Sequence, residues 1–320
     1  MNMTSETGML NKRSFVGGLM LVILLAFLFG VDYFQGLLKE RNESQLAAVS
    51  QVVPNEFESL ELIGNAAIVY DVKTGAILFH KNAGKQLPLA SVTKLMLASV
   101  ANEVLDGDTP ILITERALSR EGDSGLFENE TWRAQDLIDF TLIESSNDGA
   151  EALAEAAESR LRAKYLNAPR ENTTVWRMNE KAFELALPQT YFTDASGLDE
   201  SLTMASAYGS ARDVAQLMLY ILREEPELLS ATAKDGVLLQ STDGLEHEAY
   251  NTNDALGEIP GLIGGKTGFT DLAGGNLVVA FDVGLGRPVI AVILGSTPDG
   301  RFEDMKKLVD ASRKTIASEN

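Results

Sequence analysis

The 320-residue chain contains no cysteine and only two histidines, His80 and His247, far apart in sequence. The first absence excludes disulfide frameworks, thiol nucleophiles and thiolate zinc sites together. The second leaves imidazole chemistry, and any metal site built from clustered histidines, short of ligands. Positive charge is scarce as well. Lys plus Arg number 27 against 46 Asp plus Glu, a net charge of -19, so no nucleic acid held through its phosphates is expected as a partner. Catalysis would have to run on Ser, Lys, Asn, Asp or Glu. With 45% hydrophobic and 23% charged residues the composition is nevertheless globular, with length for one large domain or two small ones.

One long apolar run breaks this pattern. Between Arg13 and Asp32 stand 18 uncharged residues, SFVGGLMLVILLAFLFGV, which as a helix would span about 27 Å, close to the apolar core of a bilayer. The following VDYFQGLLKERN holds no small-residue cleavage pattern, so an uncleaved signal anchor is expected rather than a signal peptide. Lys12 and Arg13 before the run balance Lys39 and Arg41 after it, and only the closer spacing of the first pair places the N-terminus inside. The first 45 residues carry as many basic as acidic groups, so the whole negative charge belongs to the remainder. A polybasic grip on lipid is thereby excluded, and the helix alone would tether the chain. The expected organisation is a cytoplasmic N-terminus at 1–14, a transmembrane anchor at 15–31, a juxtamembrane linker at 32–62 and a catalytic domain at 63–320, in the cell membrane with that domain outside the cytoplasm.

Beyond the linker, Ala66 to Asp71 and Ala76 to His80 read as a hairpin whose turn uses Gly75 for its positive φ. A helix is predicted from about Val92 to Leu105, and the stretch from Ala134 to Leu222 is mostly helical by pattern, as in AQDLIDFTLI and SARDVAQLMLYILRE. NLVVAFDV and PVIAVILG flank a second turn at Gly284 to Arg287, and a last helix from Arg301 to Ile316 turns Phe302, Met305, Leu308 and Val309 inward. Strands at both ends with helices between them predict an α+β domain, one antiparallel sheet flanked by helices plus a helical lobe.

In LPLASVTKLM, Ser91 and Lys94 stand three apart at an expected helix start, so their side chains share one face. A serine hydroxyl becomes a nucleophile only when a base takes its proton, and a lysine can be that base if burial or a second cation lowers its pKa. Alone, the pair reads more readily as a helix cap and a solvated lysine, because serine caps are common. Two further pieces follow in order: Ser145, Ser146 and Asn147 in LIESSNDGA, and Lys266, Thr267 and Gly268 behind two glycines in IGGKTGFT.

The order S-x-x-K, S-x-N, K-T-G is that of the penicilloyl-serine transferases. The chain resembles the low-molecular-mass penicillin-binding proteins that act as D-alanyl-D-alanine carboxypeptidases, and the likeness extends to NAAIVYDVKTGAIL, SGLFENETWRAQDLIDFTLIESSNDGAEALAE, TDASGLDE and KTGFTDLAGGNLVVAF. It covers residues 62 to 310 and implies a penicillin-binding/β-lactamase-like transpeptidase fold with the active serine between two lobes. It further implies Ser91 as the acylated nucleophile, Lys94 as its base and Ser145 as the proton relay to the leaving D-Ala. Asn147 would hold Lys94 and the substrate amide. Lys266 would supply a second positive charge that lowers the pKa of Lys94 and orders Ser145. Thr267 and Arg301 would bind the substrate carboxylate, with the backbone N–H groups of Ser91 and Phe269 as oxyanion hole.

By the same resemblance the substrate is a peptidoglycan stem peptide ending in D-Ala-D-Ala, β-lactams are covalent inhibitors, and no cofactor or metal is required. A class A-like β-lactamase and a non-hydrolytic penicillin or muropeptide sensor are the alternatives. Several motifs read as decoys. Lys73 to Gly75 repeats K-T-G inside a hairpin turn, Gly122 to Gly125 imitates a trypsin-like GDSG, and Glu225 to Leu228 imitates a β-lactamase deacylation loop. Trp132 and Trp176 are expected in the core.

Overall fold

The structure, a computed structural model, describes residues 55–284 and 286–318. The apolar run at 14–31 and the linker as far as residue 54 lie outside the described residues, among which no helix is long and apolar enough to cross a membrane. Phe57 falls within the expected linker, yet it is buried and stacks on Phe79 at 5.4 Å, so the folded part begins ahead of residue 63.

The first hairpin pairs β1 (Ala66–Asp71) with β2 (Ile77–Lys81) through a turn in which Gly75 has φ 75°. Next come the buried helix α1 (Lys94–Asn102), α2 (Ala134–Ile143), α3 (Asn147–Lys164), α4 (Thr173–Glu184) and α5 (Ala211–Glu224). A two-stranded ribbon, β3 (Gly236–Gln240) with β4 (Glu246–Tyr250), leads to three nine-residue strands, β5 (Leu262–Thr270), β6 (Gly274–Asp282) and β7 (Pro288–Ser296). Helix α6 (Gly300–Ala317) closes the chain.

The sheet has the order β5-β6-β7-β1-β2, every neighbouring pair antiparallel, so its two chain ends meet where Ala66 lies opposite Leu294. Side chains alternate across a strand, and here the alternation sorts two cores. Ile290, Val292 and Leu294 face α1, α5 and the helical lobe, whereas Val289, Ala291 and Ile293 face Phe302, Met305, Leu308 and Val309 of α6. A sheet covered on both sides explains why the central strands are apolar at nearly every position. The predicted α+β arrangement is the one found.

The structure differs from the sequence reading in detail. The helix expected from Val92 starts as a 3-10 turn at Ala90–Thr93 and is α-helical only from Lys94 to Asn102, because Ala90 enters it in the left-handed region at φ 49°. The mostly helical middle contains four short strands between Tyr191 and Gly209. The ribbon β3–β4 escapes the sequence reading, since its apolar stretch VLL is only three residues long and Glu246 and Glu248 stand at outward positions of EHEAY. Trp132 is fully buried, but Trp176 is only partly covered and packs edge-on against Tyr165.

Asp71, fully buried at the end of β1, ties the hairpin to the turn before β7. One oxygen accepts from Lys73 N and Thr74 N, and the other accepts from Arg287 Nε at 2.9 Å and Nη2 at 2.6 Å. Removing one partner of a buried pair leaves the other charge uncompensated, so Asp71→Ala is expected to destabilise the domain by about 3–5 kcal/mol. The loss is measured by urea unfolding, with Asp310→Ala, in an exposed pair with Lys314, leaving the midpoint nearly unchanged.

Candidate active site

Ser91 lies half-buried in the 3-10 turn, and Lys94, three residues on, is fully buried at the start of α1. The Lys94 Nζ donates to Ser91 Oγ at 2.8 Å, to Asn147 Oδ1 at 2.7 Å and to the Ser196 carbonyl at 2.8 Å. An ammonium has three donors and three partners here. Asn147 Oδ1 and the Ser196 carbonyl can only accept, so when Lys94 loses a proton its lone pair is left to the one partner that can donate, the Ser91 hydroxyl. Burial pushes Lys94 down to about 7, opposed by the charge of Asp194.

The second motif resolves into unequal parts. Ser145 takes the left-handed conformation at φ 64°, an uncommon choice for a non-glycine residue. Ser146 caps α3 by accepting from Gly149 N at 2.8 Å, so the outer residues of the triple face the site. Asn147 Nδ2 donates to the Glu121 carbonyl at 2.7 Å, which turns its oxygen toward Lys94. The GDSG imitation braces this turn, with Ser124 Oγ 2.6 Å from Ser146 Oγ and 3.1 Å from Asp148 Oδ2.

The third motif lies on β5, the edge strand of the sheet, a position at which an extended peptide can be added as a further strand. Lys266 is buried and donates to Ser145 Oγ at 2.8 Å and to the Thr267 carbonyl at 3.0 Å. Its pKa is driven well below the ordinary lysine range by burial first, then by the positive charges of Lys94 and Arg301. Burial is the leading cause at Lys94 as well, so like charge from Lys266 would add to a shift that desolvation already carries.

Thr267 Oγ1 is 2.5 Å from Thr252 Oγ1, and Arg301 Nη1, from the first turn of α6, donates to the Gly268 carbonyl at 2.8 Å. Arg301 Nε is buried without a hydrogen-bond partner among the described residues, and burial lowers the guanidinium pKa against the opposing charges of Asp254 and Asp299. Gly268 abuts the nucleophile turn, where a Cβ would come within 2.9 Å of Leu89 O and 3.1 Å of the backbone N atoms of Ser91 and Val92. Only glycine permits that approach. Phe269, the next residue, is half exposed at the strand edge. Gly264 and Gly265 serve internal packing, since added Cβ atoms there would meet Leu229, Thr232 and β6.

The fold thus brings Ser91, Lys94, Ser145, Asn147, Lys266, Thr267 and Arg301 to one junction of sheet and lobe. Sequence reasoning missed Ser196, which contributes only a backbone carbonyl, and Asn276. The latter is a fully buried amide on β6 that donates to the Pro88 and Leu89 carbonyls at 3.0 Å each and so fixes the chain just before Ser91. An asparagine within the apolar GGNLVVAF was the available signal. Lys73 is exposed in its hairpin turn, and Glu225 pairs with Lys181 at 3.4 Å. His247 is buried against Glu130 at 2.5 Å. A cleft of about 600 Å³ opens elsewhere, lined by Arg116, Arg120, Glu151, Glu155 and Asp194 and by none of the residues named from the motifs.

Residues 53–297 match the D-alanyl-D-alanine carboxypeptidase family. The chain is 30% identical over 251 residues to the D-alanyl-D-alanine carboxypeptidase DacF of Bacillus subtilis, covering 77% of this chain and 61% of that protein. It is 30% identical over 237 residues to DacB2 of Mycobacterium tuberculosis, covering 73% and 75%. Among solved structures, penicillin-binding protein D2 of Listeria monocytogenes in its cefotaxime-bound form superposes with a TM-score of 0.66 at 31% identity, over 79% of this chain and 98% of that one.

The protonation of Lys94 is directly measurable. With lysines carrying 13C at the ε carbon, a resonance absent in Lys94→Met is expected to titrate near 7, far below the exposed lysines. A midpoint above 9 would contradict the buried three-acceptor arrangement.

Proposed function

Because the chain belongs to the D-alanyl-D-alanine carboxypeptidase family, we propose that it removes the terminal D-Ala from peptidoglycan stem pentapeptides through an acyl-enzyme on Ser91, and that β-lactams acylate the same serine. The observation that carries this reading is the buried Lys94, whose only proton-donating partner among the described residues is Ser91. Neutral Lys94 takes the hydroxyl proton as Oγ attacks the carbonyl of the penultimate D-Ala. The backbone N–H groups of Ser91 and Phe269 receive the oxyanion, each contributing on the order of 3 kcal/mol to the transition state. Ser145, held by Lys266, passes a proton to the leaving amine. The peptide lies along β5 as an added strand, and Thr267 with Arg301 holds its terminal carboxylate. Water then resolves the acyl-enzyme with Lys94 again as base.

The β-lactamase alternative is short of its carboxylate. Glu225 is engaged with Lys181 and Tyr220, Glu227 accepts from Asn102, and among the described residues no carboxylate is hydrogen-bonded to Ser91, Lys94 or Ser145. A long-lived penicilloyl adduct follows from that. In support of the β-lactam reading, the Listeria monocytogenes protein has been solved bound to cefotaxime and to ampicillin.

The apolar run at 14–31 serves as a signal anchor, with the catalytic domain outside the cytoplasm. Its acidic surface keeps the domain off anionic lipid. The full chain is expected in the membrane fraction after carbonate washing and residues 46–320 in the soluble fraction; a full chain released by the wash would overturn the anchor.

For the reaction itself, D-Ala release from a pentapeptide ending in D-Ala-D-Ala and labelling by a fluorescent penicillin are both expected to fall by about a thousandfold or more in Ser91→Ala. Labelling that persists in that variant would remove Ser91 from the mechanism. Penicillin acylation of the wild type without any D-Ala release would favour the sensor.

A further inference from the structure

We propose that Asp194 is a positioning residue of this site: its carboxylate, clamped by Arg120, holds the Ser196 peptide whose carbonyl fixes Lys94 against Ser91. The inference rests on the reading of Ser91 and Lys94 given above and adds two charged residues to it.

The chain of contacts is continuous. Asp194 Oδ1 accepts from Ser196 N at 2.7 Å and also from Ser196 Oγ, closing a tight turn over residues 194–196. Asp194 Oδ2 accepts from Arg120 Nη2 at 2.5 Å, and Arg120 Nε donates to Glu151 Oε2 at 2.8 Å. At the other end the Ser196 carbonyl accepts from Lys94 Nζ. The segment is wedged in place, because Gly197, at φ 86°, lies where a Cβ would be 2.1 Å from the Ala90 carbonyl, one residue before the nucleophile. Residues 194–197 therefore touch both partners of the proton transfer, the lysine through a carbonyl and the serine through its neighbour.

The same carboxylate acts through space. The groups that face Lys94 are Ser91 on its own turn, Asn147 on α3, the Ser196 carbonyl, and Lys266 on β5 with Ser145 and Arg301 behind it. Lys266 and Arg301 are cationic groups, and the anion that opposes burial at Lys94 is Asp194. Asp194 in turn faces Arg120, and beyond Arg120 stands Glu151, which Arg116 also contacts at 2.9 Å. Arg120 is one-third exposed in the 600 Å³ cleft, so the clamp on Asp194 is open to solvent on the side away from Lys94.

The two charges make opposite predictions, which a merely structural brace does not. Acylation by a fluorescent penicillin, measured as a second-order rate constant from pH 5 to 10, rises as Lys94 loses its proton and levels off above the midpoint. In Asp194→Asn the anion near Lys94 is gone, so the ammonium is less favoured and the midpoint is expected to move down by roughly one pH unit. In Arg120→Gln the anions of Asp194 and Glu151 lose their counter-charge, and the midpoint is expected to move up. Each variant reads its own shift, so the loss of one through misfolding, checked by thermal unfolding, leaves the other decisive. Midpoints that stay at the wild-type value while the plateau falls, or that move in the same direction, overturn the inference. Wild-type protein that no penicillin acylates at any pH overturns instead the catalytic reading beneath it.

Discussion

The hydrogen bonding of one buried ammonium governs the arrangement of this protein. Lys94 is stripped of water, and its three partners come from three separate segments: the 3-10 turn at Ser91, the start of α3 at Asn147 and the loop at Ser196. A buried charge without partners costs more free energy than a domain has to spare. Each segment must therefore arrive within hydrogen-bond distance, or the site loses its charge and the fold its geometry. Lys266, buried next to it, repeats the problem with Ser145 and the Thr267 carbonyl as its partners. Like charges so placed oppose one another's protonation in addition to the effect of burial, and a proton at this site is held loosely. That is a useful property in a site that must take a proton and later return it.

The rest of the structure serves to hold these segments still. The sheet presents β5 as an edge, and Gly268 lets that edge press on the backbone of Ser91. Asn276, one strand inward, fastens the carbonyls of Pro88 and Leu89, so the nucleophile turn is tied to the sheet by side chain as well as by packing. Ala90 and Ser145 both adopt left-handed backbone conformations, each costing roughly 1–2 kcal/mol. Both flank the reacting groups, and both are held by neighbours that over-determine them, Gly197 against Ala90 and Lys266 on Ser145.

Parts of the site were legible because they are written in side chains at fixed spacing. Ser91 and Lys94 are one helical turn apart, and any helix or 3-10 turn there brings them together. The serine triple was legible only in outline, since Ser145 and Ser146 differ in role through a single backbone angle that composition does not display. The GDSG and EPEL segments, which imitate other enzymes, became a brace for Ser146 and a buried ion pair with Lys181 once their neighbours were known. Asp194 and Ser196 stand in TDASGLDE, a segment that marks the resemblance but assigns them no role, because a backbone carbonyl has no sequence signature and an aspartate is ordinary in so acidic a chain.

Taken alone, the sequence determined the near-continuous apolar runs of the sheet strands, the inward face of α6, and the order of the three motifs. These are local properties, set by the period of a strand or helix and by residue type. Tertiary structure alone decided which atoms of those motifs meet. Water is removed from Lys94 only when α1 is enclosed by sheet and lobe together, and its lowered proton affinity follows chiefly from that enclosure. Desolvation depends on everything packed around a group, including backbone from residues a hundred positions away, and no window along the chain contains that information.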